Sequence, residues 1–582
     1  MSLCRYSPSI IEKALAAGAA PLLAPAADRA AWDAVRERLG APAVAGMLAR
    51  AEECVAQPVP PLLASVFTSD LDAYTCAAVE RRRWLADLAL ATCLAYDARF
   101  HAPLLDLAWA ICEESTWALP GPDSALPDMT RPRIDEQAAL TGWALAELDA
   151  LLGDDLDAAL RPRIRYEIDR RLLQPFLTRH DFAWLDEPGA TEAGAVCAAG
   201  ILSAALHTEA DPARLAEIAA RAARPLDDYL AIFNVDGGAC IGPQTWALGF
   251  GCFVAVAQLL AARTAGRVDW LAGDHLREIA LFPARTLLTP GVYPGFAGTE
   301  TQAVIWPGLL ALLGRHLKQP GLLALAESQR GQPAIDAAHL LPWRLRDLLW
   351  APAGDSVPAF AAEANDWLPD TAWMIARLAP RDTEALALAV KGGHNGEPGG
   401  HLDVGGFVVH WRGETLITDP PGALTGWQAH SVPAVNGLGQ LEGAQARAEV
   451  TERGVTGGLD LLALELKDVY PAEAGLRSLR RVIALHRRPP GWVEIIDGAM
   501  FEDAPGMLET VLITGAQVEI VAERALLHGQ RGTLAVHFDP QQVAARLETV
   551  PDAQTLQRVV FAYAQPRQAG AIRLRIEPVA AP

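Results

Sequence analysis

The stretch Lys391–Phe407, KGGHNGEPGGHLDVGGF, continues into VVHWRGETLITDPPG and then HSVPAVNG, and this is the most informative part of the sequence. Two short runs of β-branched and aromatic residues flank Arg-Gly-Glu, a pattern that predicts a β-hairpin. In such a hairpin the residues before the first strand lie near the end of the second, so His401 and Asp419 become neighbours. His430 arrives from the following loop. The local sequence therefore predicts that two imidazoles and a carboxylate converge.

Two neutral imidazoles and one carboxylate, with a fourth position open, form a ligand set that suits zinc. Ordinary explanations exist for the same residues. A loop histidine is usually a hydrogen-bonded surface residue, and an aspartate before Pro-Pro-Gly commonly organises a turn. Spacing alone thus indicates His401, Asp419 and His430 as a candidate metal site and leaves these explanations open. Asp403 is a candidate for catalysis or for orienting a metal-bound histidine.

Length and charge limit the classes of protein. The 582 residues exceed one ordinary core and predict at least two large domains. A formal net charge of −21 and the lack of a basic stripe argue against a nucleic-acid partner. Charges at Glu12 and Lys13 interrupt the only candidate leader, and no segment is interpreted as a membrane span. We therefore expect a cytoplasmic protein, with formation of a homodimer left open.

The sequence pattern changes near residue 352. Before it, long Ala/Leu-rich segments with helical periodicity alternate with loops rich in Pro, Gly and Trp, which favours an incomplete α/α toroid over a solenoid with self-similar repeats. After it, short β-branched runs predict two packed antiparallel sheets. The predicted domains are a toroid over residues 1–352, in which residues 1–73 form an N-terminal helical extension, and an antiparallel β-sandwich over residues 353–582.

The chain resembles the heparinase II/III superfamily of polysaccharide lyases over most of its length. The block at residues 391–437 is similar to the first sandwich hairpins of that family. In the helical half, EESTWALP at Glu113–Pro120, AVCAAGI at Ala195–Ile201 and DGGACIGPQTWALG at Asp236–Gly249 are similar to recurring family blocks. The resemblance implies an α/α toroid followed by a β-sandwich, and a lyase that acts by β-elimination.

The resemblance also implies a zinc ion held by His401, Asp419 and His430, which braces the loops that floor the cleft. Positions that carry the chemistry of the family differ, however. Family lyases abstract the C5 proton of a uronate with a Tyr or His pair, while an Asn, Gln or His faces the carboxylate. Here Thr245 stands at the Tyr position and Gly399 at the first His. Near the lost Asn block stands a glutamate, Glu192, which is expected to repel a uronate.

Two hypotheses from different classes remain. The first is a zinc-binding lyase with altered chemistry, acting on a small or oligosaccharide-like acidic substrate with zinc as Lewis acid. The second is a catalytically silent carbohydrate-binding or scaffold protein with a structural zinc. Gly-rich loops at a domain interface favour the enzyme. Its candidate catalytic residues are Glu192, Gln244, Thr245, Tyr293 and Asp403, and its candidate substrate-binding residues are Trp246, Gln302 and His394. Trp246 and Tyr293 also have packing explanations, in the toroid and in a turn.

Overall fold

The computed structural model describes residues 2–16, 22–121, 127–186, 192–332, 340–351, 359–397 and 400–579. Helices fill the first part of this region and antiparallel strands fill the second. The helices are α1 (Pro8–Leu15), α2 (Arg29–Leu39), α3 (Ala41–Val55), α4 (Ala64–Ser69), α5 (Leu71–Ala95), α6 (Ala98–Cys112), α7 (Glu136–Leu152), α8 (Leu160–Ile168), α9 (Gln174–Thr178), α10 (Ala183–Asp186), α11 (Glu192–Thr208), α12 (Pro212–Leu230), α13 (Pro243–Arg263), α14 (Asp274–Thr286), α15 (Pro307–His316), α16 (Pro320–Ser328) and α17 (Leu341–Trp350).

The helices α7, α11 and α13 form the inner part of the toroid. They are buried on nearly every face, as expected of helices that are apolar all round. α11 packs against both α7 and α13, and Gly200 of α11 lies directly against Ala139 of α7. A side chain at Gly200 would separate the two helices, because its Cβ would lie 2.9 Å from the Ala139 backbone. This close packing fixes the relative positions of the first turns of α7 and α11.

By length and composition, α13 could cross a membrane, contrary to the expectation from the sequence that no such segment exists. Its mean hydropathy reaches 1.7 over an 18-residue window. In the structure 72% of that window is buried, against other helices of the toroid. A core helix and a membrane span have the same composition, and here the apolar surface is explained by the toroid core.

The second part of the chain is built from antiparallel sheets. The strands are β1 (Asn365–Leu368), β2 (Trp373–Arg377), β3 (Ala387–Lys391), β4 (His394–Asn395), β5 (Phe407–Trp411), β6 (Glu414–Ile417), β7 (Ala434–Val435), β8 (Gly443–Arg447), β9 (Glu449–Thr456), β10 (Leu459–Glu465), β11 (Leu476–His486), β12 (Trp492–Phe501), β13 (Leu508–Thr514), β14 (Gln517–Val521), β15 (Arg524–His528), β16 (Thr533–His537), β17 (Val543–Val550), β18 (Ala553–Tyr563) and β19 (Ala569–Pro578).

Within the described residues, these strands form four sheets. Their orders are β1-β2-β3-β5-β6, β14-β15-β16-β19-β12-β11-β10-β9, β17-β18-β13-β7 and β4-β8. The five-stranded sheet packs against the toroid. Successive side chains of a strand point to opposite faces, and accordingly Trp373 and Ile375 join the toroid core whereas Met374 joins the sandwich core. The predicted fold class, a helical toroid followed by an antiparallel β-sandwich, is confirmed.

The predicted hairpin is also present. β5 and β6 pair antiparallel across Arg412 and Gly413, which both have positive φ, the conformation that a two-residue hairpin turn requires. The predicted domain boundary near residue 352 lies outside the described residues. The last described helix before it ends at Trp350 and the first strand after it begins at Asn365.

Candidate functional site

Four polar side chains of the sandwich converge beside the β5–β6 hairpin. His401 and Asp403 precede β5, Asp419 follows β6, and His430 lies one loop later. His401 and Asp419 are 1% exposed, and Asp403 and His430 are 0% exposed. Buried polar groups normally have a hydrogen-bond partner. Any nitrogen or oxygen atom of these four side chains that lacks one therefore requires an explanation.

Only some of the nitrogen and oxygen atoms in this His/Asp cluster have a hydrogen-bond partner. Nδ1 of His430 and Oδ1 of Asp419 share a hydrogen bond of 2.6 Å. Nε2 of His401 bonds to the carbonyl oxygen of Gly422 at 2.8 Å, and its ring centroid lies 4.9 Å from that of His430. Nδ1 of His401, Nε2 of His430 and Oδ2 of Asp419 are buried without a hydrogen-bond partner among the described residues. Two imidazole nitrogens and one carboxylate oxygen are donors that zinc accepts.

The geometry groups Asp403 with the predicted ligands more closely than His401. Possible ligand atoms of Asp403, Asp419 and His430 lie within 4.8 Å of one another. His401 lies beside this group, because Gly422 holds its Nε2. Gly399, at the position of the first family histidine, lies outside the described residues.

Asp403 is part of a buried ion pair. Its Oδ1 contacts Nζ of Lys391, and its Oδ2 accepts the backbone N–H of Ala297 at 2.9 Å. Burial opposes ionisation of Asp403, but the neighbouring ammonium holds the pKa of this carboxyl below its ordinary value. Asp403 therefore ties the sandwich to a loop of the toroid and presents no free surface to a substrate.

That loop, Tyr293–Gln302 between α14 and α15, covers the His/Asp cluster, and we call it the strap. Gly295 and Gly298 of the strap have positive φ and no room for a side chain. A Cβ at Gly298 would lie 2.2 Å from Nε2 of His401, and one at Gly295 would lie 2.6 Å from the carbonyl oxygen of Asp419. Glycine is needed at both positions because the toroid and the sandwich touch here.

Two predicted site residues lie inside the core. Trp246 is 0% exposed and its indole N–H donates to the carbonyl of Ile279 at 3.0 Å, so no sugar can stack on it in this conformation. Tyr293 is 2% exposed, and burial raises the pKa of its hydroxyl. Both side chains contribute packing rather than surface to the site.

Other predicted residues keep accessible surface. Gln244 and Thr245, in the first turn of α13, are half-buried, and Gln302 is exposed. Nε2 of Gln244 donates to the carbonyl of Gln302 at 3.4 Å, which joins α13 to the strap. His394 is half-buried, its Nε2 lying 3.4 Å from Glu397. Gln244 and Gln302 come together, whereas no contact joins His394 to them.

Glu192 belongs to an acidic group that the sequence did not reveal. Burial, followed by the charges of Glu136 and Glu300, raises the pKa of Glu192 from 4.5 to about 8. Glu136 lies in the first turn of α7, and Glu300 lies on the strap, where a Cβ at Gly242 would be 1.9 Å from its Oε2. The free protein therefore carries Glu192 mostly protonated at neutral pH, and the expected repulsion of an acidic substrate is largely absent.

Two cavities of about 330 Å³ each adjoin at Leu119, which lines both. The first is walled partly by Trp117 and by four arginines: Arg131, Arg133, Arg170 and Arg171. Arg133 has the longest ion pair of the four, 3.5 Å to Asp135, and its side chain is 57% exposed. The second cavity is lined by acidic and apolar side chains, among them Glu136, Trp184, Leu140 and Leu248. The sequence analysis did not identify this region, and the charged run TRPRIDE, residues 130–136, is the signal that could have indicated it.

By structure, the chain is similar to solved lyases. Heparan sulfate lyase HepC from Pedobacter heparinus aligns with a TM-score of 0.60 and 12% identity, over 93% of this chain and 88% of that chain. A structure named heparinase III, BT4657 gene product, aligns with a TM-score of 0.61 and 11% identity, over 92% and 84%. No protein-family model and no curated protein matches the sequence. The chain therefore has the fold of the heparinase III structures, a helical toroid followed by a β-sandwich, as its sequence motifs predicted.

Proposed function

We propose that the protein is a lyase that acts by β-elimination on an acidic, oligosaccharide-like substrate. One observation carries the proposal: an arginine-lined cavity shares Leu119 with a second cavity lined by Glu136, whose charge is one of the causes that raise the pKa of Glu192 to about 8. Arginine is well suited to a carboxylate because its planar fork can bond both oxygens. A carboxyl group that titrates near neutral pH is suited to proton transfer. The fold shared with solved lyases agrees with this reaction class and does not by itself establish it.

In the proposed reaction the substrate carboxylate lies in the arginine-lined cavity, near Arg133. The carboxylate of Glu192 accepts the proton from the carbon next to that group. The electron pair of the broken C–H bond forms a carbon–carbon double bond, and the substituent on the following carbon leaves with its own bonding pair. Gln244 and Thr245, half-buried at the start of α13, provide hydrogen bonds to the sugar.

We also propose that His401, Asp419 and His430 hold a zinc ion, which would supply a fixed divalent charge that braces the surrounding loops. The support is the set of unpartnered, buried nitrogen and oxygen atoms on these side chains. Complete burial, and the strap lying over the cluster, favour this bracing role over direct contact with substrate.

Purified protein is expected to contain about one zinc ion per chain, because three buried donor atoms otherwise have no partner. His401→Ala should remove most of the metal, whereas His394→Ala, outside the cluster, should not. Elemental analysis measures both. The absence of divalent metal from all three proteins would exclude the site, and metal loss from Asp403→Asn but not His401→Ala would assign the third ligand to Asp403.

Heparin, heparan sulfate and alginate are expected to give little or no product, because Thr245 and Gly399 stand at the positions where the lyases that this sequence resembles carry a Tyr and a His for proton transfer. The assay is the ultraviolet absorbance of an unsaturated uronate. A panel of short, unsulfated uronate oligosaccharides should include at least one substrate. Rapid cleavage of any of the three polymers would contradict the assignment.

A catalytically silent binding protein is the second candidate. It is favoured by the burial of Tyr293, Trp246 and Asp403, three of the residues expected at the site. Binding of an oligosaccharide from the panel, with no double bond formed, would support it over the lyase.

A further inference from the structure

The strap is attached to the sandwich at the His/Asp cluster. The backbone N–H of Ala297 donates to Oδ2 of Asp403 at 2.9 Å. The backbone N–H of Gly422 donates to the carbonyl oxygen of Gly298 at 3.0 Å, and the carbonyl oxygen of the same Gly422 bonds to Nε2 of His401 at 2.8 Å. The first contact therefore reaches a side chain of the cluster directly, and the second reaches one through Gly422.

The backbone of the strap is strained where it touches the cluster. Ala297 has φ +57° and ψ +30°, a left-handed conformation that is unfavourable for an L residue. Gly298 follows at φ +75° and lies so close to the cluster that a Cβ would be 2.2 Å from Nε2 of His401. A conformation of this kind persists only where surrounding contacts hold it. Here the hydrogen bonds to Asp403 and Gly422 do so, and the strap therefore depends on the positions of the cluster side chains.

The hydrogen bonds also determine which ring nitrogen of His401 is free. A carbonyl oxygen only accepts, so in the neutral imidazole Nε2 carries the proton that bonds to Gly422. Nδ1 is then the unprotonated nitrogen, and it is buried without a partner among the described residues. A metal-bound histidine usually donates its other ring N–H to a carbonyl or carboxylate. The N–H on Nε2 becomes a stronger donor to Gly422 when Nδ1 binds a metal.

The other end of the strap forms part of the candidate site on the toroid. The side chain of Glu300 lies against the residue that precedes α13, and the carbonyl of Gln302 accepts Nε2 of Gln244 at 3.4 Å. Within the strap, the backbone N–H of Tyr293 donates to the carbonyl of Thr301 at 2.9 Å. This bond closes the strap into one loop, so a displacement of its tip at the cluster also displaces Glu300.

We propose that the docked strap and a metal ion in the His/Asp cluster stabilise each other, with Gly298 and Gly422 as the positioning residues that join them. Metal at Nδ1 of His401 favours the docked strap, and the docked strap keeps His401 in place for the metal. The docked strap in turn holds Glu300 and Gln302 at the start of α13. This coupling rests on the proposed zinc site and is independent of the lyase function.

Docking of the strap and binding of zinc are linked thermodynamically. If docking tightens zinc binding by some factor, zinc must favour docking by the same factor. Loss of a partner that orients a metal ligand typically lowers metal affinity by about 10–100-fold. We therefore expect zinc to reduce opening of the strap by at least about 10-fold.

Hydrogen–deuterium exchange in the unaltered protein measures this opening. Amides of the strap should exchange at least about 10-fold faster after a chelator removes zinc, and added zinc should restore slow exchange. Helix α3, which packs on α2, α5 and α6, is the internal reference and should not change. Equal exchange of the strap in the two forms would overturn the proposal. Faster exchange in α3 as well would also overturn it, because the metal would then stabilise the whole fold.

Two alanine variants separate the contact with His401 from backbone strain. Gly298→Ala should weaken zinc binding by at least about 10-fold in competition with a chelator, although Gly298 supplies no ligand atom. Gly291→Ala, just before the strap, is the matched control. Gly291 has φ +81°, and its Cβ would lie 3.6 Å from the nearest atom outside its chain neighbours. It therefore introduces similar strain, and zinc affinity should change by less than about 2-fold.

Equal zinc affinities of Gly298→Ala and the unaltered protein, or equal losses in both variants, would overturn the role of Gly298. Thermal melting checks that the variants are folded. If Gly298→Ala does not fold, the exchange experiment still decides, because it uses the unaltered protein.

Failure of the zinc site and failure of the coupling give different results. Purified protein without divalent metal would contradict both. Bound zinc with unchanged exchange of the strap would contradict the coupling alone. Neither measurement requires a substrate, so a failure of the lyase proposal leaves both results unaffected.

Discussion

Replacing Arg481 with alanine is expected to lower the free energy of unfolding by about 3–5 kcal/mol, because the carboxylate of Asp497 is left buried without its cation. Both side chains are 0% exposed. Nε and Nη2 of Arg481 donate to the two carboxylate oxygens of Asp497 at 2.7 Å each. The hydroxyl of Thr510 also donates to Asp497, at 2.6 Å, but a neutral donor does not replace a charge. Urea denaturation measures the loss.

The same substitution should disturb the His/Asp cluster. Nη1 of Arg481 donates to the carbonyl oxygens of Gly405 and Ser431 at 2.8 and 2.7 Å. Gly405 lies two residues after Asp403, and Ser431 follows His430. Arg481 thus holds the two loops that carry these side chains, and we expect its loss to reduce zinc content as well as stability.

Two control variants distinguish the effect of the unpaired buried charge from the loss of an arginine and from the loss of zinc. Arg480→Ala, on the same strand, removes an exposed pair with Glu452 and should cost less than about 1 kcal/mol. Replacing Arg481 with Met and Asp497 with Leu removes both buried charges, so most of the stability should return while zinc content stays low. If the double variant is as unstable as Arg481→Ala, the buried-charge explanation is wrong.

Local sequence predicted those parts of the site that local structure builds. The hairpin turn at Arg412 and Gly413 brings Asp419 back towards His401, and His430 follows within one loop, so spacing along the chain was enough to anticipate the cluster. Which atoms remain free could not be anticipated. That outcome depends on Gly422, whose carbonyl holds Nε2 of His401, and the backbone path that places it there is not encoded in the spacing.

Contacts between distant segments were not predictable from a single sequence. Ala297 and Asp403 are 106 residues apart in the chain, and their hydrogen bond forms only because the strap packs on the sandwich. Glu136, Glu192 and Glu300 come from three separate elements. Each looks like an ordinary acid at a helix start or in a loop, and only the assembled toroid reveals an unpaired group. The domain boundary and the zinc ligands stay predictions.

Glu192→Gln is expected to stabilise the protein at alkaline pH while it abolishes most activity. In the unfolded chain this carboxyl ionises near its ordinary pKa of 4.5, but in the folded protein burial and two neighbouring carboxylates raise the pKa to about 8. Between these values the folded state binds the additional proton, so stability falls as pH rises, until both states are ionised above about pH 8. Glutamine carries no ionisable proton, so the variant does not lose stability in this way as the pH rises. Partial exposure reduces the effect, and we expect a gain of roughly 2–4 kcal/mol at pH 9 and almost none at pH 4.

The effect on catalysis has the opposite sign. If the carboxylate of Glu192 accepts the proton from carbon, kcat/KM of the wild type should rise with pH to a plateau above about pH 8, the pKa of this group in the free protein. Glu192→Gln should lower kcat/KM by about 10²–10⁴-fold and abolish the pH dependence. Glu217→Gln, on the exposed face of α12, controls for the loss of a carboxylate and should change neither stability nor rate. A variant that gains stability but keeps its rate would place the base elsewhere, because the raised pKa would then reflect burial and repulsion alone.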